Sequence, residues 1–231
     1  MEDCFLAKTR VLIGEKGIER LQNCSIAVIG LGGVGSYAVE ALARCGVGHI
    51  TIVDPDRIEK SNLNRQLPAL LSTIGCYKTE IITKRLRDIN PEVQVYQFTC
   101  SYNSETSEYI LNQDYHYIID AVDSLPDKVH LIKSCLKKNI PIVSSMGTAN
   151  RINPLMLHLA DIKNTSVCPM ARRLRRDLRQ EGINEGVMVV YSTELPIKPQ
   201  AGEDRLGSLP FVPASAGLLL ASHVICSILG M

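Results

Sequence analysis

The sequence predicts an α/β fold: a doubly wound, mainly parallel sheet with an antiparallel extension toward its C-terminal end. Three observations predict it. Short apolar runs alternate with helix-patterned segments from Ser25 to Ser145, the order that builds a parallel sheet. A glycine-rich turn, Gly30-Leu31-Gly32-Gly33-Val34-Gly35, joins the first run to the first helical segment after it. Beyond Asn150 the alternation gives way to two strand-like stretches with a helix between them.

Phe5 to Leu21 reads as a helical lead-in broken at Gly14 and Gly17. Ser25 to Ile29 is apolar and suits a buried strand. Tyr37 to Cys45 carries Val39, Leu42 and Ala43 at helical spacing and is closed by Gly46. His49 to Asp54 is a second strand with an acid at its end. Gln66 to Cys76 reads as loop or short helix, and Lys78 to Asp88 as a helix with Ile81, Ile82 and Leu86 on one side. Asn90-Pro91 breaks that helix. A strand from Val93 to Thr99 follows, then a helix from Ser104 to Asn112 with Ser104 as its cap.

Tyr117 to Val122 is a buried strand, which places Asp123 at its carboxyl end. Pro126 to Asn139 is a helix with proline in its first turn and Lys137 and Lys138 at its end. Pro141 to Ser145 is the next strand. In the last third, Leu155 to Ala160 and Val187 to Ser192 read as strands. Pro169 to Arg179 forms a helix between them, with Met170, Leu174 and Leu178 spaced by four and five arginines on its other faces. Lys198 to Ser208 is polar and reads as a mobile loop near the site. Ser215 is placed to cap a final apolar helix that covers the sheet or a subunit interface. The whole is expected to be one domain, residues 1–231, with a nucleotide-binding core of about 22–150 and a substrate-side extension of about 151–231.

Strand, glycine turn, helix and second strand together make a Rossmann-like start. Gly30 permits a sharp exit from the strand, Gly32 lets backbone approach a phosphate, and Gly35 lets helix and strand pack closely. The helix start offers free N–H groups to an anion. Asp54, about 20 residues beyond the loop, can accept hydrogen bonds from ribose hydroxyls. The residues after it are not those a dehydrogenase needs. Asp54-Pro55-Asp56 leads into Ser61-Asn62-Leu63-Asn64-Arg65-Gln66, and Lys78 comes a short loop later. Arg65 can neutralise a polyphosphate and Asn62 can orient it. Asp123 faces the same sheet edge, where an acid suits Mg²⁺ bridging phosphates.

Taken in order, GLGGVGS, DPD, SNLNRQ, the lysine of GCYK and DAVDS resemble the adenylating enzymes related to ubiquitin activation (the ThiF/MoeB/HesA type). The resemblance is strong over about residues 5–160. The later part is most similar to the offshoot of that family that dehydrates threonylcarbamoyladenosine in tRNA. The resemblance implies ATP and Mg²⁺ as cofactors, with Asp123 on the metal and Arg65, Lys78 and Asp123 at the reacting phosphates. Gly30, Gly32, Gly33, Gly35, Asp54, Asp56, Ser61, Asn62, Gln66 and Ser124 complete the implied nucleotide site. Arg10 stands where the family carries an arginine that reaches the phosphates of a neighbouring subunit, which implies a homodimer. The reaction implied is ATP-dependent adenylation of the side-chain carboxylate of the modified nucleoside, then ring closure with release of AMP. Sulfur-transfer proteins are possible further partners.

Composition sets limits on these readings. With 45% hydrophobic and 21% charged residues the chain has ordinary globular content. A net charge of +1 supplies no global attraction for nucleic acid. Any tRNA contact must therefore be local; Arg172, Arg173 and Arg176 on the arginine-rich helix are the candidates, and the same helix reads equally as a solvated amphipathic surface. The eight cysteines show no Cys-x-x-Cys pair, which argues against structural zinc. The first residues lack a signal-peptide pattern and no integral membrane segment is expected, so the cytoplasm is the expected location. The main rival is adenylation of the C-terminus of a ubiquitin-like sulfur-carrier protein, with Cys168 as a thiol that can lie exposed. An NAD-dependent oxidoreductase leaves SNLNRQ and DAVDS unexplained, and a non-catalytic relative would be expected to lose some of Asp54, Arg65, Lys78 and Asp123.

Overall fold

A computed structural model of the chain describes residues 5–198 and 206–231. Seven strands form one sheet in the order β3-β2-β1-β4-β5-β7-β6. They are β1 (Ser25–Ile29), β2 (His49–Val53), β3 (Gln94–Phe98), β4 (Tyr117–Asp120), β5 (Ile142–Ser145), β6 (Leu157–Asp161) and β7 (Met188–Ser192). All neighbours pair in parallel except β6, which runs antiparallel to β7. The expected extension is thus one antiparallel edge strand, because β7 itself adds to β5 in parallel.

Helices cover both faces. α2 (Gly35–Arg44), α3 (Lys78–Ile89) and α7 (Phe211–Leu229) bury Val39, Leu42, Ile82, Leu86 and Leu220 with Ile26, Val28 and Ile50 of the sheet. α5 (Leu125–Lys137) and α6 (Pro169–Gln180) bury Leu131, Leu174 and Leu178 with Ala27, Ile29 and Ile118 on the other face. Ile26 and Val28 go to one side and Ala27 and Ile29 to the other, as the two-residue period of a strand requires. Strands buried on both faces read as unbroken apolar runs.

Several boundaries differ from expectation. α1 (Ala7–Gln22) is kinked at Gly14, with φ 70°, but continues through Gly17. The helix expected over Ser104–Asn112 shrinks to one turn, α4 (Ser107–Ile110). There the Asn103 carboxamide oxygen accepts from the backbone N–H of Glu105 and of Thr106, and such side-chain turns compete with helix. α7 begins at Phe211, capped by Pro210, so Ser215 lies inside it rather than capping it. Pro213 falls in the first turn, where a missing N–H is harmless. The loop expected over Lys198–Ser208 falls largely outside the described residues.

α7 is 19 residues long and, by length and composition alone, apolar enough to cross a membrane. It lies instead along α2, with Val212, Ala216, Leu220 and Val224 fully buried. Gly217 makes the approach possible: a Cβ there would stand 2.3 Å from the Val34 carbonyl oxygen.

Candidate active site

The glycine turn leaves β1 at its carboxyl end. Gly30 has φ 92°, and a Cβ on it would meet the Ala121 carbonyl oxygen at 2.7 Å. A Cβ on Gly35 would meet the Gly30 carbonyl oxygen at 1.8 Å. Both glycines are therefore steric necessities of the turn. Gly33 is covered by Pro213, whose side chain would lie 3.2 Å from a Cβ at that position, so α7 also backs the turn.

Asp54 is buried just past β2 and is held by backbone. Its Oδ2 accepts from the Leu31 N–H at 2.7 Å and its Oδ1 from the Asp56 N–H at 2.9 Å. The carboxylate thus braces the glycine turn as well as facing the site. Lys78 opens α3 and is brought in by local pairing. Arg57 and Tyr77 form an isolated antiparallel bridge, with the guanidinium 3.8 Å over the tyrosine ring centroid. The tight turn at Gly75, φ 88°, closes it. Lys78 Nζ then sits 2.7 Å from Asp56 Oδ2 and 3.4 Å from Asp54 Oδ1, almost wholly shielded from solvent.

The Ser61–Gln66 stretch begins in a 3₁₀ turn, Lys60–Asn62, and continues as a second turn in which the N–H groups of Arg65 and Gln66 donate to the Asn62 carbonyl. Asn62 Oδ1 accepts from the Glu59 N–H at 3.0 Å and its amide donates to Ser61 Oγ at 3.3 Å, so Asn62 first serves the turn itself. Arg65 Nη1 donates to the Ser61 carbonyl at 2.9 Å and Asn64 Oδ1 at 3.0 Å, which fixes the guanidinium at the rim. Gln66 is buried and its Oε1 has no hydrogen-bond partner. A buried polar atom left this way calls for an explanation, and a ligand donor is one.

β4 ends at Asp120, three residues before Asp123, so Asp123 stands on a turn rather than at the strand end. Asp123 is exposed and makes no hydrogen bond or ion pair among the described residues. Behind the turn, Asp120 and Lys128 form a wholly buried pair at 2.7 Å, with Ser144 Oγ donating to Asp120 Oδ2 at 2.5 Å.

These parts enclose one cleft of about 740 Å³. Gly30, Gly32, Gly33, Asp54, Asp56, Ser61, Asn62, Arg65, Gln66, Lys78, Asp123 and Ser124 all line it. Gly35 shapes the turn from beneath without lining the cleft. Arg57, Glu59, Tyr102, Asp127 and Thr148 also line it and were not expected from the sequence. Asp127 lies in the first turn of α5 and the others on connecting segments that no residue pattern marks.

Five expected residues lie elsewhere. Arg10, on α1, pairs with Glu15 at 2.6 Å and is not a cleft residue. Arg172, Arg173 and Arg176 are on α6, away from the cleft lining. Cys168, for which the sequence left exposure and an inert place both open, is only 2% accessible. It is the residue before Pro169, and α6 packs Ala171, Leu174 and Leu178 inward and carries Cys168 into the same core. Cys135 is equally inert, its thiol pushed up to about 12 by burial with Asp120 beside it.

Among the described residues there is no cluster of three or more metal-ligating side chains. Asp123 and Asp127, both without an ion pair among the described residues, share the cleft with cationic Arg65 and Lys78, and two carboxylates are too few to hold a structural ion. Their chemistry would suit a hydrated Mg²⁺ brought in with a polyphosphate.

A glycine turn, a buried acid that braces it, two cations and unpaired carboxylates on one cleft are what a nucleotide-dependent adenylating enzyme needs. The chain belongs to the ThiF family, whose match spans residues 6–231. It is 43% identical to the tRNA threonylcarbamoyladenosine dehydratase of Bacillus subtilis, with 96% of this chain and 94% of that one aligned. It is 34% identical to the enzyme of the same name from Escherichia coli, over 94% of this chain and 90% of that one. The crystal structure of the Escherichia coli dehydratase, TcdA, in complex with AMP superposes with a TM-score of 0.91 at 35% identity, covering 96% of this chain and 93% of that one.

Proposed function

We propose that this chain is an ATP-dependent tRNA threonylcarbamoyladenosine dehydratase. The single observation that carries the chemistry is that Arg65, Lys78 and Asp123, from two turns and the first residue of α3, line one cleft with the glycine turn. The names of its relatives supply the substrate, and TcdA has been crystallised with ATP as well as AMP.

A carboxylate resists attack until its oxygen carries a good leaving group. In the proposed reaction the nucleoside's carboxylate attacks the α-phosphorus of ATP, a P–O bond forms, and pyrophosphate leaves. A nucleophile of the same side chain then attacks the activated carbonyl, AMP departs, and a proton is lost. The net change is removal of one water, and the ring closes without an enzyme nucleophile. That agrees with the burial of Cys168 and Cys135.

The protein's task is to gather and neutralise phosphate charge. Asp54 faces the ribose. Lys78 and Arg65 flank the phosphates, and Gly32 and Gly33 keep the approach open. Asp123 would hold Mg²⁺, whose contribution is to neutralise pyrophosphate as it leaves. Gln66 Oε1 accepts from the nucleotide or its water. Arg172, Arg173 and Arg176 contact the tRNA backbone. The working unit is a homodimer in which Arg10 reaches the partner's phosphates, the location is the cytoplasm, and sulfur-transfer proteins are candidate partners.

The test is nucleoside mass spectrometry on tRNA bearing threonylcarbamoyladenosine, incubated with protein, ATP and Mg²⁺ and digested mildly. Loss of one water, dependent on ATP and abolished in Asp123→Ala, supports the proposal. An unchanged nucleoside, with protein that is folded and binds ATP, refutes it and points to a carrier-protein carboxyl terminus. For the dimer, Arg10→Ala mixed with Arg65→Ala should recover activity. Mixed dimers without recovery would exclude a role for Arg10 across subunits.

A further inference from the structure

We propose that Lys128 is a positioning residue for this reaction: through Asp120 it sets the turn that presents Asp123 to the phosphates. The inference rests on the proposed role of Asp123 as the magnesium ligand.

Asp123 has no hydrogen bond or ion pair of its own among the described residues, so its place is inherited from the backbone that carries it. That backbone is the turn from Ala121 to Ser124, all four of whose residues line the cleft. Two groups grip it. The Ala121 N–H donates to the Ile29 carbonyl at 2.8 Å, tying the turn to β1. The Val122 N–H donates to Asp120 Oδ1 at 3.0 Å, one residue before Asp123.

The second grip depends on how the Asp120 carboxylate is aimed. Its two oxygens divide the work. Oδ2 takes Lys128 Nζ at 2.7 Å and Ser144 Oγ at 2.5 Å, and Oδ1 is left to the turn. Lys128 Nζ also donates to Ser144 Oγ at 3.2 Å, which closes a three-way cluster among β4, α5 and β5. Asp120, Lys128 and Ser144 are all fully inaccessible.

Stability alone explains such a cluster weakly, because apolar side chains of similar size often serve a core as well as a buried ion pair does. Apolar packing has no direction, however, and could not turn Oδ1 toward Val122. The opposite side of the turn meets the glycine loop. The Ala121 carbonyl oxygen lies 2.7 Å from where a Cβ on Gly30 would be, and Ala121 Cβ lies 3.3 Å from where one on Gly35 would be. Ala121 is thus held between β1 and the glycine loop whatever Asp120 does, and what the Asp120 carboxylate aims is the later half of the turn, where Asp123 lies.

The test is calorimetric titration of ATP into the full-length protein, with and without saturating Mg²⁺, for Lys128→Met, Lys128→Arg, Ser144→Ala and Asp123→Ala. The quantity compared is the gain in ATP affinity that Mg²⁺ confers. In folded Lys128→Met this gain should fall by about 10-fold or more, the scale seen when groups that orient a metal ligand are removed. Affinity for metal-free ATP should stay within about 3-fold of wild type, and Lys128→Arg should recover part of the gain. A folded Lys128→Met with an unchanged gain would overturn the proposal and leave the cluster a structural one. Should Lys128→Met fail to fold, Ser144→Ala decides. It removes one hydrogen bond to Asp120 and keeps the charge pair, so a loss of about 2- to 5-fold is expected and no loss overturns the inference. Asp123→Ala separates the two readings. If it keeps the full gain, the assignment of Asp123 fails, and with it any role for Lys128 through that residue. If it loses the gain while Lys128→Met does not, only the positioning role fails.

Discussion

Gly217→Ala tests whether the contact between α7 and α2 holds the site together. A methyl at Gly217 would lie 2.3 Å from the Val34 carbonyl oxygen, 3.0 Å from the Ala38 nitrogen and 3.1 Å from Tyr37 Cβ. Two of these neighbours are backbone atoms and cannot rotate away. Restoring ordinary contact, at roughly 3.4 Å or more, requires α7 to withdraw by about 1 Å, and a gap of that size forfeits a quarter to a half of each dispersion contact along it. The face affected carries Ala216, Leu220, Ala221 and Val224. Overpacking of this kind costs about 1–3 kcal/mol, and the clash with backbone places it at the upper end. The better helix propensity of alanine offsets about 1 kcal/mol. A net loss of about 1–2 kcal/mol corresponds to a fall in Tm of about 2–8 °C for a chain of this size. ATP affinity should fall as well, because Val34 and Gly33 line the cleft. Differential scanning calorimetry with and without ATP measures both. Ser222, on the same helix, is exposed, and Ser222→Ala, expected within about 0.5 kcal/mol of wild type, is the control. A Gly217→Ala protein that melts at or above the wild-type temperature would refute the reasoning, since propensity would then have outweighed the clash.

Cys168→Ala should keep dehydratase activity within about 2-fold, since a buried thiol takes no part; a loss of 100-fold or more, with fold intact, would revive the thiol rival. Lys78→Met should lower ATP–pyrophosphate exchange by about 10²- to 10³-fold, the scale of losing one charge-stabilising donor, and retention of exchange would remove Lys78 from the reaction. His223 is half-buried against the Tyr117 hydroxyl, and burial holds its imidazole below the usual value. The unfolded chain therefore takes up this proton first, so the stability His223 contributes is full above about pH 6.5 and is lost as pH falls through the folded value. His223→Gln should flatten the acid limb of Tm against pH, and an unchanged limb would exclude the histidine as its source. Reversing Arg172, Arg173 and Arg176 to glutamate should weaken tRNA binding and lower its salt dependence, by about one unit of slope for each phosphate no longer neutralised, with ATP affinity unchanged. Equal tRNA affinity across salt would place the RNA on another face.

What could be read from the sequence was whatever a local pattern encodes. The glycine spacing marked the turn because steric need fixes Gly30 and Gly35 there. Asp54 was legible as an acid ending a strand, although its grip on Leu31 and Asp56 was not. The order SNLNRQ then GCYK put Arg65 and Lys78 in play, but only the Arg57–Tyr77 bridge explains why Lys78 reaches Asp56. Asp120, Lys128 and Ser144 were invisible as a group. They come from three segments, and burial of a lysine leaves no trace in the residues around it. Cys168 stayed undecided for the related reason that Pro169 and the arginines after it suggest exposure, whereas helix packing decides it. The α7 start was misplaced because serine is the commoner cap, and proline in a first turn outweighed that preference here.

The seating of α7 against the glycine turn also bears on how the protein is made. The turn is translated early, whereas Pro213 and Gly217, which close over Gly33 and Val34, come near the other end of the chain. Contacts so distant in sequence form late, after the entropy of closing the intervening chain has been met. β7 likewise enters the sheet only after β6 and α6 have emerged, yet it separates β6 from β5. A nascent chain on the ribosome would therefore hold its nucleotide motif without its backing until α7 has emerged. Docking of α7 is the step that gives Gly33 and Val34 their support, and ATP held in the cleft would add its binding energy to whichever state already has that support.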